Sequence, residues 1–295
     1  MEGWVIYNGH MASHAFLQFP KAIQQAAAQY DISIELVAND AVVNSVDANG
    51  HDIHALNGLS KPSFVIFHDK DIALARQLEY AGIPVYNNAN CIEICDNKVI
   101  MYQKLAEHHV TIPKTLIAPK VFTGAKLLHF EHYLQIASSL NYPFVVKEGF
   151  GSFGEQVYLV HHEKEYRDIV KKIYDKPFVM QEYIESSYGK DIRVFIVGGR
   201  FVAALKRTSQ EDFRANVYQG SRIEAYSPSE EEIQLAINAV HAVGADFAGV
   251  DLLFGKGDRP IVCEVNTNAH VANILTYTGI NVAEKILQKV ILPAL

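Results

Sequence analysis

Residues 145–160 read VVKEGFGSFGEQVYLV, and the fold turns on what the glycines in the middle connect. GFGSFG at 149–154 matches the template G-x-G-x-x-G. That template serves either as the tight turn of a dinucleotide-binding β-α-β unit or as a hairpin lid over nucleotide phosphates. In the first case a helix must open directly after the last glycine, because the pyrophosphate rests on that helix's N-terminus. Here EQVYLV follows, β-branched and aromatic with no helical period, so the loop joins two strands. Gly149, Gly151 and Gly154, with Ser152 between them, make a hairpin tip whose backbone N–H groups can approach phosphate oxygens. Lys147 sets a cation two residues before the first glycine. A flexible hairpin without a ligand is the competing reading of the motif alone. No GxxxxGK[ST] occurs, which excludes a P-loop, and the H-R-D and D-F-G kinase signatures are missing.

Around this loop the chain reads as alternating elements. Residues 4–7, 32–38, 63–67 and 84–88 are expected strands. Helices are expected at 15–30, with Pro20 near the start, and at 73–82, stopped by Gly82. Such β-α-β alternation predicts a parallel sheet over a first domain, residues 1–95. Helices at 97–109, 129–141 and 163–175 and strands at 113–119, 143–148, 155–160 and 177–184 predict an α+β unit over 96–181. From 182 to 295 antiparallel patterning dominates: a hairpin at 191–209, a helix at 228–244, a second hairpin at 249–266 and a closing helix at 281–291.

The second hairpin carries oxygen ligands. A turn within 255–260 pairs Phe254 with Ile261 and Asp251 with Glu264, and Asn266 lies on the same face as Glu264. Three oxygen-bearing side chains then converge, as Mg²⁺ requires alongside nucleotide phosphates. A solvent-facing polar stripe is the plainer alternative, but it does not account for an all-oxygen set between apolar strands.

The chain of 295 residues is long enough for two or three units, and 49% hydrophobic with 20% charged residues is an ordinary globular profile. A net charge of −7 argues against a nucleic-acid surface. Three sparse cysteines suggest a reducing compartment, and Cys91 with Cys95 lacks the second pair that a zinc site needs. MEGWVIYNGH has no basic-then-apolar leader pattern, and no apolar run reaches about 18 residues, so a cytoplasmic protein without membrane attachment is expected.

In order, NK at 97–98, VVKEGFGSFG at 145–154, QEYI at 181–184, KDIRVFIVGGRFVAALKR at 190–207, DFRANVYQG at 212–220, AGVDLLF at 248–254 and CEVNTN at 263–268 resemble the ATP-grasp superfamily, most of all its RimK-like glutamate-ligase branch. The resemblance covers about 96–290. It implies a three-part fold, α/β and α+β, with a parallel N-terminal domain and two α+β lobes holding the nucleotide. It implies ATP and Mg²⁺, or Mn²⁺, as cofactors, with a small carboxylate donor and an amine acceptor: an amino acid, peptide or protein tail. A homo-oligomer is compatible with it.

It also implies roles. Lys98 and Lys147 contact ATP phosphates, with Lys147 also near the adenine; Glu182, Tyr183 and Ile184 form the hinge that reads adenine; Asp191 binds ribose. Arg214, Ala215 and Asn216, with the catalytic Arg193 and Arg207, line the phosphate and acyl-phosphate region. Asp251, Glu264 and Asn266 hold the metal. Lys190, Arg193, Lys206, Arg207, Arg214 and Arg222, close in sequence, could clamp a triphosphate and a carboxylate. The chain departs from the branch where N-x-S-P-G is typical: it reads NTNAHVAN at 266–273. His270 there could be an acid or base, though a structural or exposed histidine is the plainer reading. HDKD at 68–71 lacks an arginine often found in the first domain. The reading is an ATP-dependent carboxylate–amine ligase working through an acyl phosphate. A D-alanine-type dipeptide ligase and a nucleotide-binding regulator without turnover are the alternatives.

Overall fold

The computed structural model describes residues 1–11, 13–152, 154–215, 220–269 and 271–295. Asn216 and His270 lie outside them. Four short strands, β1 (Glu2–Tyr7), β2 (Ser33–Ala38), β5 (Phe64–His68) and β6 (Val85–Tyr86), form a parallel sheet in the order β2-β1-β5-β6. A separate hairpin, β3 (Val42–Asp47) and β4 (Gly50–Ala55), sits between β2 and β5 in the chain. Trp4, Val5 and Ile6 of β1 are all buried, the continuous apolar run of a strand covered on both faces. From β1 the chain steps to β2 on one side, while β5 and β6 lie on the other. The gap between β1 and β5 is therefore a topological switch point, the place where such sheets bind ligands at their carboxyl ends.

Helix α1 (His14–Ala27) carries Pro20 in its interior rather than near its start. A proline there forgoes one helical hydrogen bond; Pro20 is buried, so packing holds the helix through it. Helix α2 (Ile72–Tyr80) is N-capped by Asp71 and ends ahead of Gly82, whose φ is 78°. The hairpin β3–β4 was not expected from the sequence. Nor was α3 (Ala89–Asp96), capped by the Asn88 side chain.

Next come α4 (Lys98–Glu107), β7 (Thr115–Ile117), α5 (Phe130–Ala137), β8 (Phe144–Glu148), β9 (Val157–Val160), α6 (Glu163–Ile173) and β10 (Phe178–Glu182). Their strands form an antiparallel sheet in the order β7-β10-β8-β9. The glycine loop thus joins antiparallel neighbours, as EQVYLV predicted. Helix α6 buries Tyr166, Val170 and Ile173, one helical face, against this sheet.

A five-stranded antiparallel sheet follows, β13-β12-β11-β14-β15, from β11 (Lys190–Val197), β12 (Arg200–Thr208), β13 (Arg222–Ala225), β14 (Phe247–Phe254) and β15 (Pro260–Asn266). Helix α7 (Glu230–Val243) has a full capping box between Ser229 and Glu232, a device worth about 1 kcal/mol. In the hairpin β14–β15, Asp251 pairs with Glu264 as expected, but Phe254 pairs with Pro260 and not Ile261. The register shifts between Asp251 and Leu252: Leu252 faces Val262, so Cys263 is an extra residue that alternation alone does not reveal. The closing helix stands where expected, as α9 (Val282–Ile286) passing directly into a π-helical turn over Leu287–Ile291, and a further helix the sequence did not announce, α8 (Ala272–Thr278), precedes it. Among the described residues no helix is long and apolar enough to cross a membrane.

Phe19 and Ile23 of α1 share one apolar core with Phe195, Phe247 and Ile286. The sheet that carries the lid has a core of its own around Phe144, Tyr166 and Phe178.

Candidate active site

The three larger sheets all contribute to one cleft of about 600 Å³. The lid reaches it with Gly151, Ser152 and Gly154. Gly149 does not line it: its N–H donates to the Pro177 carbonyl at 2.6 Å and its carbonyl accepts from Lys98 N–H at 2.9 Å. A Cβ at 149 would lie 2.9 Å from Pro177 Cβ, so glycine here serves close backbone approach at the base of the lid.

Asn97 caps α4 through Val99 N–H, which makes Lys98 the first residue of that helix and turns it into the cleft. Lys98 is 7% exposed; its Nζ lies 3.1 Å from Glu264 and 3.4 Å from the Gly151 carbonyl. Burial opposes its charge, but Glu264 more than offsets that and raises its pKa. Lys147, equally buried on β8, donates to Tyr102 Oη at 2.9 Å and lies 3.6 Å from Cys263 Sγ. Burial again opposes the charge, and Cys263 and Tyr102 around it prevail, so Lys147 stays protonated.

Across the cleft, β11, β12 and β14 bring four charged groups into one buried network. Arg193 holds Asp251 through both arms at 2.7 Å. Arg207 binds Asp191 at 2.6 Å and reaches Asp251 at 3.1 Å. Burial alone would raise the Asp251 carboxyl, yet the two guanidinium groups hold it down, to about 2. The same acids keep Arg207 well above the ordinary arginine range against the cost of burial. Asn266 Nδ2 is 3.5 Å from Asp251, and Glu264 stands opposite Asp251 in the hairpin, its pKa lowered because Lys98 outweighs burial. The three expected metal ligands therefore do converge, with Asp251 held by two guanidinium groups, Glu264 by Lys98 and Asn266 by Asp251 itself. Two carboxylates and an amide oxygen are hard donors that suit Mg²⁺, with open positions for phosphate oxygens. Among the described residues no group of three or more His, Cys, Asp and Glu could hold a metal.

Glu182 ends β10, Tyr183 and Ile184 follow it, and all three line the cleft. Glu182 is tied down by Lys114 N–H at 2.9 Å, while Tyr183 Oη is buried without a partner among the described residues. Arg214 pairs with Asp212 at 2.8 Å and donates to the Gly154 carbonyl, which links its segment to the lid; Ala215 lines the cleft beside it. The expected basic clamp is smaller than its six members. Lys206 lies over the Phe254 ring at 5.9 Å and does not line the cleft, and Arg222 is exposed beside Glu224 at 3.4 Å.

Sequence reasoning missed the partners of Lys147, Tyr102 and Cys263, and the whole first-domain wall. Asn8 follows β1, and His68, Asp69 and Lys70 end or follow β5, all facing the cleft. Their position directly after two strands of a parallel sheet was the available signal. Lys70 joins Asp96 at 2.6 Å and reaches Ser152 Oγ of the lid at 3.4 Å.

A three-sheet ATP-grasp arrangement is what this geometry amounts to. The model of the RimK-like ATP-grasp domain matches residues 95–290, so the chain belongs to that family and is an ATP-dependent C–N ligase. Members of the family use ATP and Mg²⁺. An uncharacterized protein of Mycoplasma pneumoniae, the MG012 homolog, is 35% identical over 236 residues, 78% of this chain and 81% of that one. Human N-acetylaspartylglutamate synthase A is 31% identical over 85% of this chain and 66% of its own length. A RimK-domain ATP-grasp crystal structure from Sphaerobacter thermophilus superposes with a TM-score of 0.73 at 18% identity, over 99% of this chain and 100% of that one, and shares the fold.

Proposed function

We propose that this chain joins a small carboxylic acid to an amine through an acyl phosphate, with glutamate or a related amino acid as one partner. The observation that carries the reading is the cleft itself: Lys98, Lys147, Arg193 and Arg207 face the oxygen set of Asp251, Glu264 and Asn266 beneath a glycine lid. The name of the human relative, which ends in glutamate synthase, supports glutamate as a component.

In this reading residues 1–95, 96–181 and 182–295 are the three parts of the fold. Lys98, Lys147 and the lid backbone at Gly151, Ser152 and Gly154 hold the phosphates, with Gly149 seating the lid. Glu182, Tyr183 and Ile184 read the adenine edge. Asp191 meets ribose through a lone pair that Arg207 leaves free. Arg214, Ala215 and Asn216 flank the phosphates. Asp251, Glu264 and Asn266 would hold Mg²⁺ or Mn²⁺, which supplies positive charge against the phosphate oxygens. A donor carboxylate oxygen attacks the γ-phosphorus and ADP leaves; the amine nitrogen then attacks the acyl carbon and phosphate leaves. Arg193 and Arg207 stabilise the charge on the transferring group, and the closed lid keeps water from the acyl phosphate.

The test is ADP release from ATP and Mg²⁺ with a panel of carboxylic acids and L-amino acids, glutamate included. Release that needs both an acid and an amine is expected. Release with no pair, or equal release without any amine, would refute the reading.

A further inference from the structure

Helix α4 meets the strand that carries Glu264 at three consecutive residues. That strand, β15, is the last of its sheet, so among the described residues its outer edge has no neighbouring strand to pair with. Two side chains of α4 answer it instead. Tyr102 Oη donates to the Cys263 carbonyl at 2.6 Å, and the Val265 N–H donates to Met101 Sδ at 3.4 Å. Between them Lys98, at the start of the same helix, pairs with the Glu264 carboxylate at 3.1 Å. Positions 98, 101 and 102 are spaced by three and four and share one face of the helix.

Tyr102 does more than cover an edge. It is 2% exposed, and its oxygen also accepts from Lys147 at 2.9 Å. An ammonium offers no acceptor, so that bond uses a lone pair of the phenol and leaves its single hydrogen for another partner. Cys263 takes it; the other acceptor in reach, Gln181 Oε1, stands at 3.4 Å. Cys263 is the extra residue where the pairing register shifts, and its carbonyl belongs to the planar peptide that leads to Glu264. Fixing that carbonyl fixes the plane of the peptide, and with it the point from which Glu264 starts. Tyr102 itself does not line the cleft, whereas Lys147 and Glu264 both do.

We infer that Tyr102 is the positioning residue that sets the spacing between Lys147 and Glu264, its one hydroxyl tying the lysine on β8 to the bulged strand that carries the carboxylate. A slip of β15 against β8 would break one of its two bonds, so the cation and the carboxylate keep a single geometry. The inference deepens the ligase reading and rests on its assignment of Lys147 to phosphate and of Glu264 to Mg²⁺.

The test is calorimetric titration of a non-hydrolysable ATP analogue into the full chain, with Mg²⁺ and with a chelator in its place. The wild-type chain should bind more tightly with Mg²⁺. Tyr102→Phe keeps the ring and removes the hydroxyl. It should weaken binding without Mg²⁺ several-fold, as Lys147 loses its oxygen partner, and cut the Mg²⁺ enhancement about tenfold, as when a residue supporting a metal ligand is removed. Tyr166→Phe controls for the loss of a buried hydroxyl as such. Tyr166 is fully buried in the separate core of the lid-bearing sheet, where it donates to the Tyr133 carbonyl at 3.3 Å. That variant should lower the melting temperature and leave both affinities at the wild-type values. If either quantity is unchanged in Tyr102→Phe, the inference is wrong, and equal losses in Tyr166→Phe overturn it too. Should Tyr102→Phe not fold, Tyr102→Met, a flexible apolar chain without a hydroxyl, decides by the same readings. A wild-type chain without any Mg²⁺ enhancement would refute the metal assignment and the inference together; a normal wild-type enhancement that Tyr102→Phe retains would refute the inference alone.

Discussion

Lys98 and Glu264 meet at 3.1 Å under the lid, each serving as the other's counter-ion although 166 positions separate them in the chain. A metal taking Glu264 would free Lys98 to turn to a phosphate, so one exchange of partners would prepare both sides of the site. Glu264→Gln removes the anion from that exchange. It should lower Mg²⁺-dependent ADP release on the order of 100-fold while nucleotide still binds. Turnover assays beside nucleotide titration with and without Mg²⁺ check this, and a variant of unaltered rate counts against the metal role.

Arg207 answers two buried carboxylates, Asp191 and Asp251. Arg207→Met leaves both without it and should cost about 3–5 kcal/mol in stability. Arg222→Met, at an exposed pair, should change stability by less than about 0.5 kcal/mol. Chemical denaturation of the two variants gives the comparison.

Asp246 supplies a pH dependence outside the cleft. Burial pushes its carboxyl from 3.8 up to about 6. Below the unfolded value both states are protonated and the group is silent. As pH rises through 6 the folded state must ionise a buried acid, so stability is lost toward neutral pH. Asp246→Asn should therefore raise stability at pH 8 by about 2 kcal/mol and leave it unchanged near pH 3.5. Melting curves across that range decide; a gain of equal size at both ends would refute the assignment.

Gly149→Ala drives a methyl to within 2.9 Å of Pro177 Cβ and 3.1 Å of its carbonyl oxygen. The base of the lid should give way at about 1–3 kcal/mol, visible as a lower melting temperature. Gly124, with nothing within 4 Å of an added Cβ, is the steric control, although its φ of 81° carries its own cost.

The elements that declared themselves in the sequence were those whose evidence is local. EQVYLV cannot be an amphipathic helix, so the glycine loop had to be a hairpin, and two-residue alternation set Asp251 opposite Glu264. Pairing beyond Asp251 was not legible, because the extra residue at Cys263 interrupts the alternation without any change in residue type. Pro20 misled for the reverse reason: proline's local preference for a helix start yields to burial within α1. The first-domain wall of the cleft was hidden because Asn8, His68 and Asp69 reach it only once β1 and β5 pack beside the later sheets, and no pattern along the chain tells of that packing.

Asn87 spans between units: its amide donates to the Phe247 carbonyl at 2.8 Å and accepts from Asp246 N–H at 2.7 Å. Together with the core that α1 shares with β11, β14 and α9, this bolts the N-terminal sheet to the C-terminal one as a single anvil. The lid-bearing sheet keeps a core of its own around Phe144 and Phe178, and through Val179 of β10 it also packs into the core of the C-terminal sheet. The first- and third-unit walls of the cleft thus belong to one packed block, and the lid meets them from a unit whose packing is largely its own.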